Sequence, residues 1–423
     1  MSREQHLSRR AVLTSLAAAT CAAGFATPIR RALAEEAGPV FSPTGPNAEL
    51  YGAAAGYPVP DVARARRQGN PWQPADRVGA FTHIDDIYPT RQVKRAAMPW
   101  AFKRAPAELS DSFRAEVTGY VARNPVTGLL IAKDDQILFE HYQYGRTDRD
   151  RFVSQSMVKS ITGLLMGIAI SEGAIKSVDD AAETYVPGFR GSEYGRTPIR
   201  DLLHMSSGVD FGEEADGGRD LNRLWLDMVA GFSGKGTVNS INQFNHRIAP
   251  PGTHFHYASI EPDVLGVVLR HATGKSLSEY LQAKIWQPIG AEADAKWVLD
   301  AEGLELAHFG FNAVLRDYAR LARLLAHDGA WGGQQIIPTR WMVDATTVLP
   351  SDGYLAPGKA DRNFGYGYLL WLLPWGQRQF AMFGDFGQRV CVDPASKIVM
   401  VQTGLERTTE IWKLWSDVVK TFG

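Results

Sequence analysis

The stretches of this 423-residue chain that read as β-strands lie far apart, and that separation limits the folds open to it. Residues 127–133 and 136–142 are apolar runs rich in Leu and Ile, parted by Asp134-Asp135, and they predict a β-hairpin. Strand character returns only at 379–392 and 397–404, with a turn through Asp393-Pro394. In between the period is helical. Met157, Ile161, Leu164, Leu165 and Ile168 recur at helix spacing until Gly173 stops them. Residues 176–345 then read as mainly helical with long polar loops, most clearly at 276–286 and 313–327, and a last amphipathic helix is predicted over about 408–422. Strands early, helices in the middle and strands again at the end imply an α/β (α+β) fold. Its antiparallel sheet is flanked by helices and discontinuous in sequence, built from about 111–175 and 345–423, with a mainly helical part inserted at about 176–344. The functional motifs should meet at the seam between the two parts.

Composition narrows the class. Lys and Arg total 45 against 46 Asp and Glu, and 45% of residues are apolar and 22% charged. These are ordinary globular values, which exclude collagen-like, disordered and polytopic membrane chains. They also exclude a polybasic nucleic-acid binder. The first 34 residues stand apart: Arg9-Arg10 precede a mild apolar stretch, and Ala32-Leu33-Ala34 offers small residues for cleavage. This pattern is similar to a twin-arginine export signal, with an ordinary Sec signal as the alternative, and predicts a periplasmic protein that meets the export machinery. The apolar run is too short and too rich in Ala for a stable membrane anchor, and Ala19-Thr20 before Cys21 is a poor lipobox. Cleavage after Ala34 leaves 40 basic and 45 acidic residues and a single cysteine, Cys391, so no internal disulfide is possible. Cys391 lies in an apolar stretch and is expected in the core. Residues 35–110 are rich in Pro and Gly and predict an extended wrapper pinned by Trp72, Trp100 and Phe102.

The sharpest motif is Ser156-Met157-Val158-Lys159, at the start of the helix that follows the hairpin. A Ser and a Lys three apart share one helix face, so the amine reaches the hydroxyl. The helix amino terminus there favours a neutral amine and a developing oxyanion. The competing reading is a capping Ser beside a solvated Lys. Ser156 is the only Ser of the chain with Lys three residues on, and it falls at a strand-to-helix transition. The second motif is Tyr257-Ala258-Ser259, after the turn Pro250-Pro251-Gly252-Thr253 and before a helical pattern at 264–272. A phenol beside a lysine amine can serve as base and then acid, and Ser259 can bind the lysine or the substrate. Taken alone, Tyr-x-Ser carries no chemistry, and packing is the far commoner role of such a tyrosine.

Together with Asp201-Leu202-Leu203-His204-Met205-Ser206-Ser207-Gly208, Pro251-Gly252-Thr253-His254-Phe255-His256, Ala272-Thr273-Gly274-Lys275 and Phe386-Gly387-Gln388, these motifs resemble those of a known family. That family is the serine hydrolases of the β-lactamase and penicillin-binding-protein superfamily, nearest the branch of 6-aminohexanoate-dimer hydrolases and related esterases. The resemblance spans about 127–404. It implies a β-lactamase-like fold with Ser156 as nucleophile, Lys159 as its activator and Tyr257 as the proton relay. It further implies an oxyanion site from the N–H of Ser156 and an N–H of the strand Gly384-Asp385-Phe386-Gly387-Gln388, with no metal and no cofactor. The substrate is then a small ester or amide.

Two departures bear on that substrate. β-Lactamases and cell-wall peptidases of the superfamily usually carry Lys-Thr-Gly on the strand flanking the site, whereas residues 379–388 hold no Lys and an acidic Asp385. A β-lactam or D-Ala-D-Ala carboxylate loses its expected partner. Members acting on the aminohexanoate amide tend to carry a Tyr in the acidic stretch after the Ser-Ser-Gly motif, and Gly212-Glu213-Glu214-Ala215-Asp216 has none. No dedicated deacylating glutamate stands out. The rival readings are a D-Ala-D-Ala carboxypeptidase or β-lactamase and, of another class, a catalytically silent periplasmic binding protein on the same fold. Gly-x-Ser-x-Gly is absent, so an α/β-hydrolase elbow is unsupported. His254 and His256 form a possible metal pair without further ligands, and a packing or capping role is expected for them. Trp286, Trp331, Trp341, Trp371 and Trp375 are candidates to line an apolar acyl pocket, against the alternative of core packing. The loops 205–220 and 345–365 are expected to shape it.

Overall fold

Strands buried on both faces read as continuous apolar runs, and the central sheet shows why the early and late runs look alike. Its long strands are β1 (Val126–Lys133), β2 (Gln136–Tyr142), β3 (Phe380–Gly384), β4 (Gln388–Asp393) and β5 (Ile398–Gly404). They pair antiparallel in the order β2-β1-β5-β4-β3, with Leu130 opposite Val401 and Val390 also opposite Val401 on its other side. The early hairpin is thus completed by the carboxy-terminal strands. Short strands Trp371–Leu372 and Gly365–Tyr366 extend the sheet beyond β3, while Val40–Phe41 and Lys103–Arg104 add parallel to β2. The computed structural model describes residues 38–61, 72–105, 111–213 and 218–423. The leader expected over 1–34 lies outside them.

Successive residues of each strand enter different cores. Leu129, Ile131, Ala381, Cys391, Ile398 and Met400 pack on Phe113, Val117 and Tyr120 of helix α1 (Asp111–Arg123) and on Leu414, Trp415 and Val418 of α5 (Glu410–Phe422). Leu130, Ala132, Met382, Val390, Val399 and Val401 face the other way. They join a larger core with α2 (Val158–Ser171), α3 (Ile260–Thr273) and α4 (Leu315–Ala326). Cys391 is buried among these residues, as expected, and burial pushes its thiol up to about 12.

Several expectations need correction. The run 379–392 is two strands. Gly384 ends β3, Phe386 (φ 58°) and Gly387 (φ 87°) turn the chain, and Gln388 opens β4. The inserted region is not only helical: Ala295–Val298 and Phe311–Val314 form a second, four-stranded antiparallel sheet with Thr90–Val93 and Arg151–Val153. Strands of three or four residues carry too little alternation to be read locally. Ala313 and Val314 belong to that sheet, and α4 begins at Leu315. Beyond Ser276, whose hydroxyl caps a short helix in a reciprocal pair with Glu279, the predicted helix ends in a π-turn at Gln282–Trp286. The wrapper is extended only in part. Pro74 starts a turn that leads into helices at Arg77–Thr82 and Ile84–Ile87, and Val78, Phe81, Ile84 and Ile87, three apart, are buried. Proline content masked this helical spacing. Trp72 does pin the segment, against Phe309 at 6.2 Å, as do Trp100 against Trp331 at 4.9 Å and Phe102 beneath the Arg320 guanidinium at 5.7 Å.

Helix α2 carries the Ser156 turn at its start, and two glycines let it sink into the core. A Cβ on Gly163 would lie 2.9 Å from the Tyr368 carbonyl oxygen, and one on Gly167 would lie 2.4 Å from the Trp341 ring. The offending ring atoms sit next to the side-chain stem and cannot swing aside. Gly167→Ala is therefore expected to lower stability by about 1–2 kcal/mol, because overpacking outweighs alanine's advantage of ~1 kcal/mol in a helix. A urea midpoint above that of the wild type would contradict this packing.

Candidate functional site

The chain leaves the second sheet at Val153, and Gln155 adopts φ 47°, a left-handed conformation that costs a side-chain-bearing residue about 1–2 kcal/mol. That bend starts the short turn Gln155–Met157 and turns Ser156 out of the core while α2 begins at Val158. Strand β3 lies against the bend. A Cβ on Gly384 would meet the Ser154 carbonyl oxygen at 2.4 Å and the Gln155 Cβ at 3.0 Å, so glycine permits this approach. The two motifs are brought together by α2 and α3, which pack side by side.

Lys159 is 2% exposed, and its Nζ donates to Ser156 Oγ at 2.6 Å and to the His308 carbonyl oxygen at 3.3 Å. The Tyr257 phenol interacts electrostatically with both Lys159 and Ser156. The Tyr257 ring stacks on Trp371 at 5.7 Å and 27°, with Lys159 Nζ 4.9 Å from its centroid. Burial works against the charge on Lys159 most strongly, yet Tyr257, Glu213 and Asp385 together outweigh it and hold the amine above its ordinary value. Burial pushes the Tyr257 phenol up as well; Lys159 offsets part of this and Glu213 adds to it. Both directions favour the protonated forms of the pair, against the expectation of a neutral amine.

A cavity of about 310 Å³ opens at Ser156. Ser259, Asp385 and Phe386 line it, as expected of the motifs that contain them. Gly387 and Gln388 stand behind: Gln388 Nε2 donates to the carbonyls of Asp385 and Gly404 at 3.1 and 2.8 Å, and its Oε1 accepts from Gly404 N at 3.0 Å. These two residues hold the hairpin and do not line the cavity. None of the five tryptophans proposed for an acyl pocket lines it either. Trp286 is fully buried, Trp341 packs on Tyr368, Trp331 on Trp100, Trp375 on Trp412, and Trp371 backs Tyr257. The apolar wall comes instead from Trp72, Leu221, Trp225, Phe309 and Phe386. Glu213 and Gly218 represent the 205–220 loop, and no residue of 345–365 lines the cavity.

Polar groups not foreseen complete the lining. His308 faces the cavity, and its Nδ1 lies 2.7 Å from Asp263 Oδ2; since the carboxylate can only accept, Nδ1 carries the hydrogen. Asp263 also accepts from Ala307 N at 2.9 Å. Glu213 accepts from both the hydroxyl (2.7 Å) and the backbone N–H of Ser259. No local motif announces these contacts, which join residues 45 and 46 positions apart. The His254–His256 pair is taken up locally. His256 Nε2 donates to the Phe211 carbonyl at 2.8 Å, and His254 Nδ1 lies 2.9 Å from Thr253 Oγ1.

Behind Tyr257, Ser207 Oγ donates to Glu261 Oε1 at 2.6 Å, tying the Ser-Ser-Gly motif to α3. Burial pushes the Glu261 carboxyl up to about 8. Its unfolded counterpart loses the proton near the ordinary carboxyl value, so the folded state binds one more proton across the window from there to about 8. Stability accordingly falls with rising pH in that window, by about 1.4 kcal/mol per unit at most. Glu261→Gln is expected to gain on the wild type as pH is raised from about 5 to about 8. Parallel urea curves for the two proteins at every pH would refute the buried protonated carboxyl.

Comparison with known proteins places this geometry in context. The beta-lactamase family model matches residues 113–403. A 6-aminohexanoate-dimer hydrolase of Paenarthrobacter ureafaciens is 25% identical over 374 residues, covering 85% of this chain and 91% of that protein. Among solved structures, a Bacillus anthracis protein provisionally named 6-aminohexanoate-dimer hydrolase superposes with a TM-score of 0.69 at 22% identity, covering 82% of this chain and 93% of its own. A family VIII carboxylesterase does so with a TM-score of 0.57 at 16% identity, covering 76% and 99%. At these identities the structural likeness carries the fold, which is the β-lactamase-like α+β arrangement expected from the sequence.

Proposed function

Because the chain belongs to the beta-lactamase family, we propose that it is a serine hydrolase that cleaves an ester or amide through an acyl group carried on Ser156. The observation that carries this reading is the 2.6 Å contact between a buried Lys159 amine and the Ser156 hydroxyl, with the Tyr257 phenol beside both. The reactive form is the pair one proton short, written equally as phenolate with ammonium or phenol with amine. It takes the Ser156 proton as Oγ bonds to the substrate carbonyl carbon, then returns a proton to the leaving group as the old bond breaks. Water adds by the same route and frees Ser156. The negative charge on the carbonyl oxygen is met by the Ser156 N–H and an N–H of the Gly384–Gln388 turn.

The lining supports a substrate with a compact apolar acyl group. The strand residues 379–388 offer no Lys for a carboxylate, and Arg407, beside the turn, is already paired with Asp385. Arg389 donates to the carbonyls of Gly384 and Gln388 and is likewise occupied. This disfavours β-lactams and D-Ala-D-Ala termini. Hydrolysis of p-nitrophenyl butyrate is expected to fall by about 10³-fold or more in Ser156→Ala and by about 10²- to 10³-fold in Tyr257→Phe. A Ser156→Ala protein with wild-type turnover would remove Ser156 as the nucleophile.

A further inference from the structure

We propose that Glu213 is a positioning residue of this reaction, one that fixes the start of α3 and balances the charge carried by Lys159 and Tyr257. The proposal rests on the acyl-serine reading above. Ser259 occupies the N-cap position of α3, where a serine hydroxyl ordinarily accepts from the helix's own first turn. Here it makes no such bond. Its Oγ donates instead to Glu213 Oε1 at 2.7 Å, and its backbone N–H donates to Glu213 Oε2. Two bonds to one carboxylate lock the residue two positions after Tyr257, and Trp371 stacks on the Tyr257 ring itself. The phenol is thereby held by a clamp on its chain and a platform under its ring.

Charge gives Glu213 its second part. The groups facing Lys159 are Tyr257, Glu213 and Asp385, and those facing Tyr257 are Lys159, Glu213 and the Tyr366 phenol. Asp385 is paired with Arg407 outside the site, whereas both bonds made by Glu213 are to Ser259, a neutral residue. Among the described residues, Glu213 is thus the carboxylate whose charge is felt by both members of the pair without a cation of its own. Removing it makes the ammonium easier to deprotonate and the phenolate easier to form. Both effects move the reactive, singly protonated pair to lower pH.

The test is the pH dependence of kcat/KM for p-nitrophenyl butyrate in the wild type, Glu213→Gln and Glu213→Asp, corrected for spontaneous hydrolysis. Glu213→Gln keeps the shape and loses the charge, and its rising limb is expected to move about one unit toward acid. Glu213→Asp keeps the charge on a shorter stem. Its limb is expected within about 0.3 unit of the wild type, with kcat lowered because the clamp on Ser259 is stretched. A limb that stays in place in Glu213→Gln overturns the proposal, and so does a Glu213→Asp limb displaced as far as that of Glu213→Gln. Should Glu213→Gln fail to fold, Glu213→Asn, which also removes the charge, is read against Glu213→Asp in its place, with the same acid shift expected and an unmoved limb overturning the proposal. Failure of the acyl-serine reading shows differently, as activity that survives Ser156→Ala at every pH.

Discussion

A buried cation 2.6 Å from a serine hydroxyl is the constraint on which the rest of the site depends. An ammonium withdrawn from water is costly unless acceptors surround it. Lys159 meets this condition with Ser156, the His308 carbonyl and the Tyr257 phenol, and with the field of Glu213 and Asp385. Each of these comes from a different part of the chain. The Ser156 turn heads α2, His308 precedes the second sheet's last long-range strand, Tyr257 precedes α3, Glu213 belongs to the loop after the Ser-Ser-Gly motif, and Asp385 sits in the β3–β4 turn. Solvating one amine therefore fixes how the helical region docks on the sheet.

The same requirement explains the close backbone approaches around it. Gln155 bears a left-handed conformation so that Ser156 leaves the core, and Gly384 lacks a side chain so that β3 can lie against that bend. Gln388 then ties the turn after β3 to β5. Glycines 163 and 167 let α2 sit deep enough for Lys159 to be buried. These features form one chain of contacts from the core to the cavity, and their strain is spent on orientation at a single hydroxyl.

What could be read in the sequence follows from how local each feature is. Ser156 and Lys159 are one helical turn apart, and Tyr257 and Ser259 precede a helix, so their proximity within each motif needed no tertiary knowledge. The split of the long strands between the two ends of the chain likewise foretold the discontinuous sheet. Glu213, His308, Trp72 and Trp225 were not legible as site residues, because each reaches the cavity through tertiary folding and has unremarkable neighbours in sequence. The second sheet was missed because its strands span three or four residues, and the wrapper's helices because proline hid a spacing of three. The tryptophans misled for a related reason: bulk and hydrophobicity suit a core as well as a pocket, and only the fold assigns Trp286 to the one and Trp72 to the other.

The central claim is that Ser156 Oγ carries the acyl group between two steps that share one proton-holding pair. The most direct measurement is peptide mapping by mass spectrometry of protein quenched during turnover of p-nitrophenyl butyrate. A single butyryl group on the peptide containing Ser156, absent from Ser156→Ala, is the predicted result. A butyryl group on a different residue, or one that persists in Ser156→Ala, would contradict it.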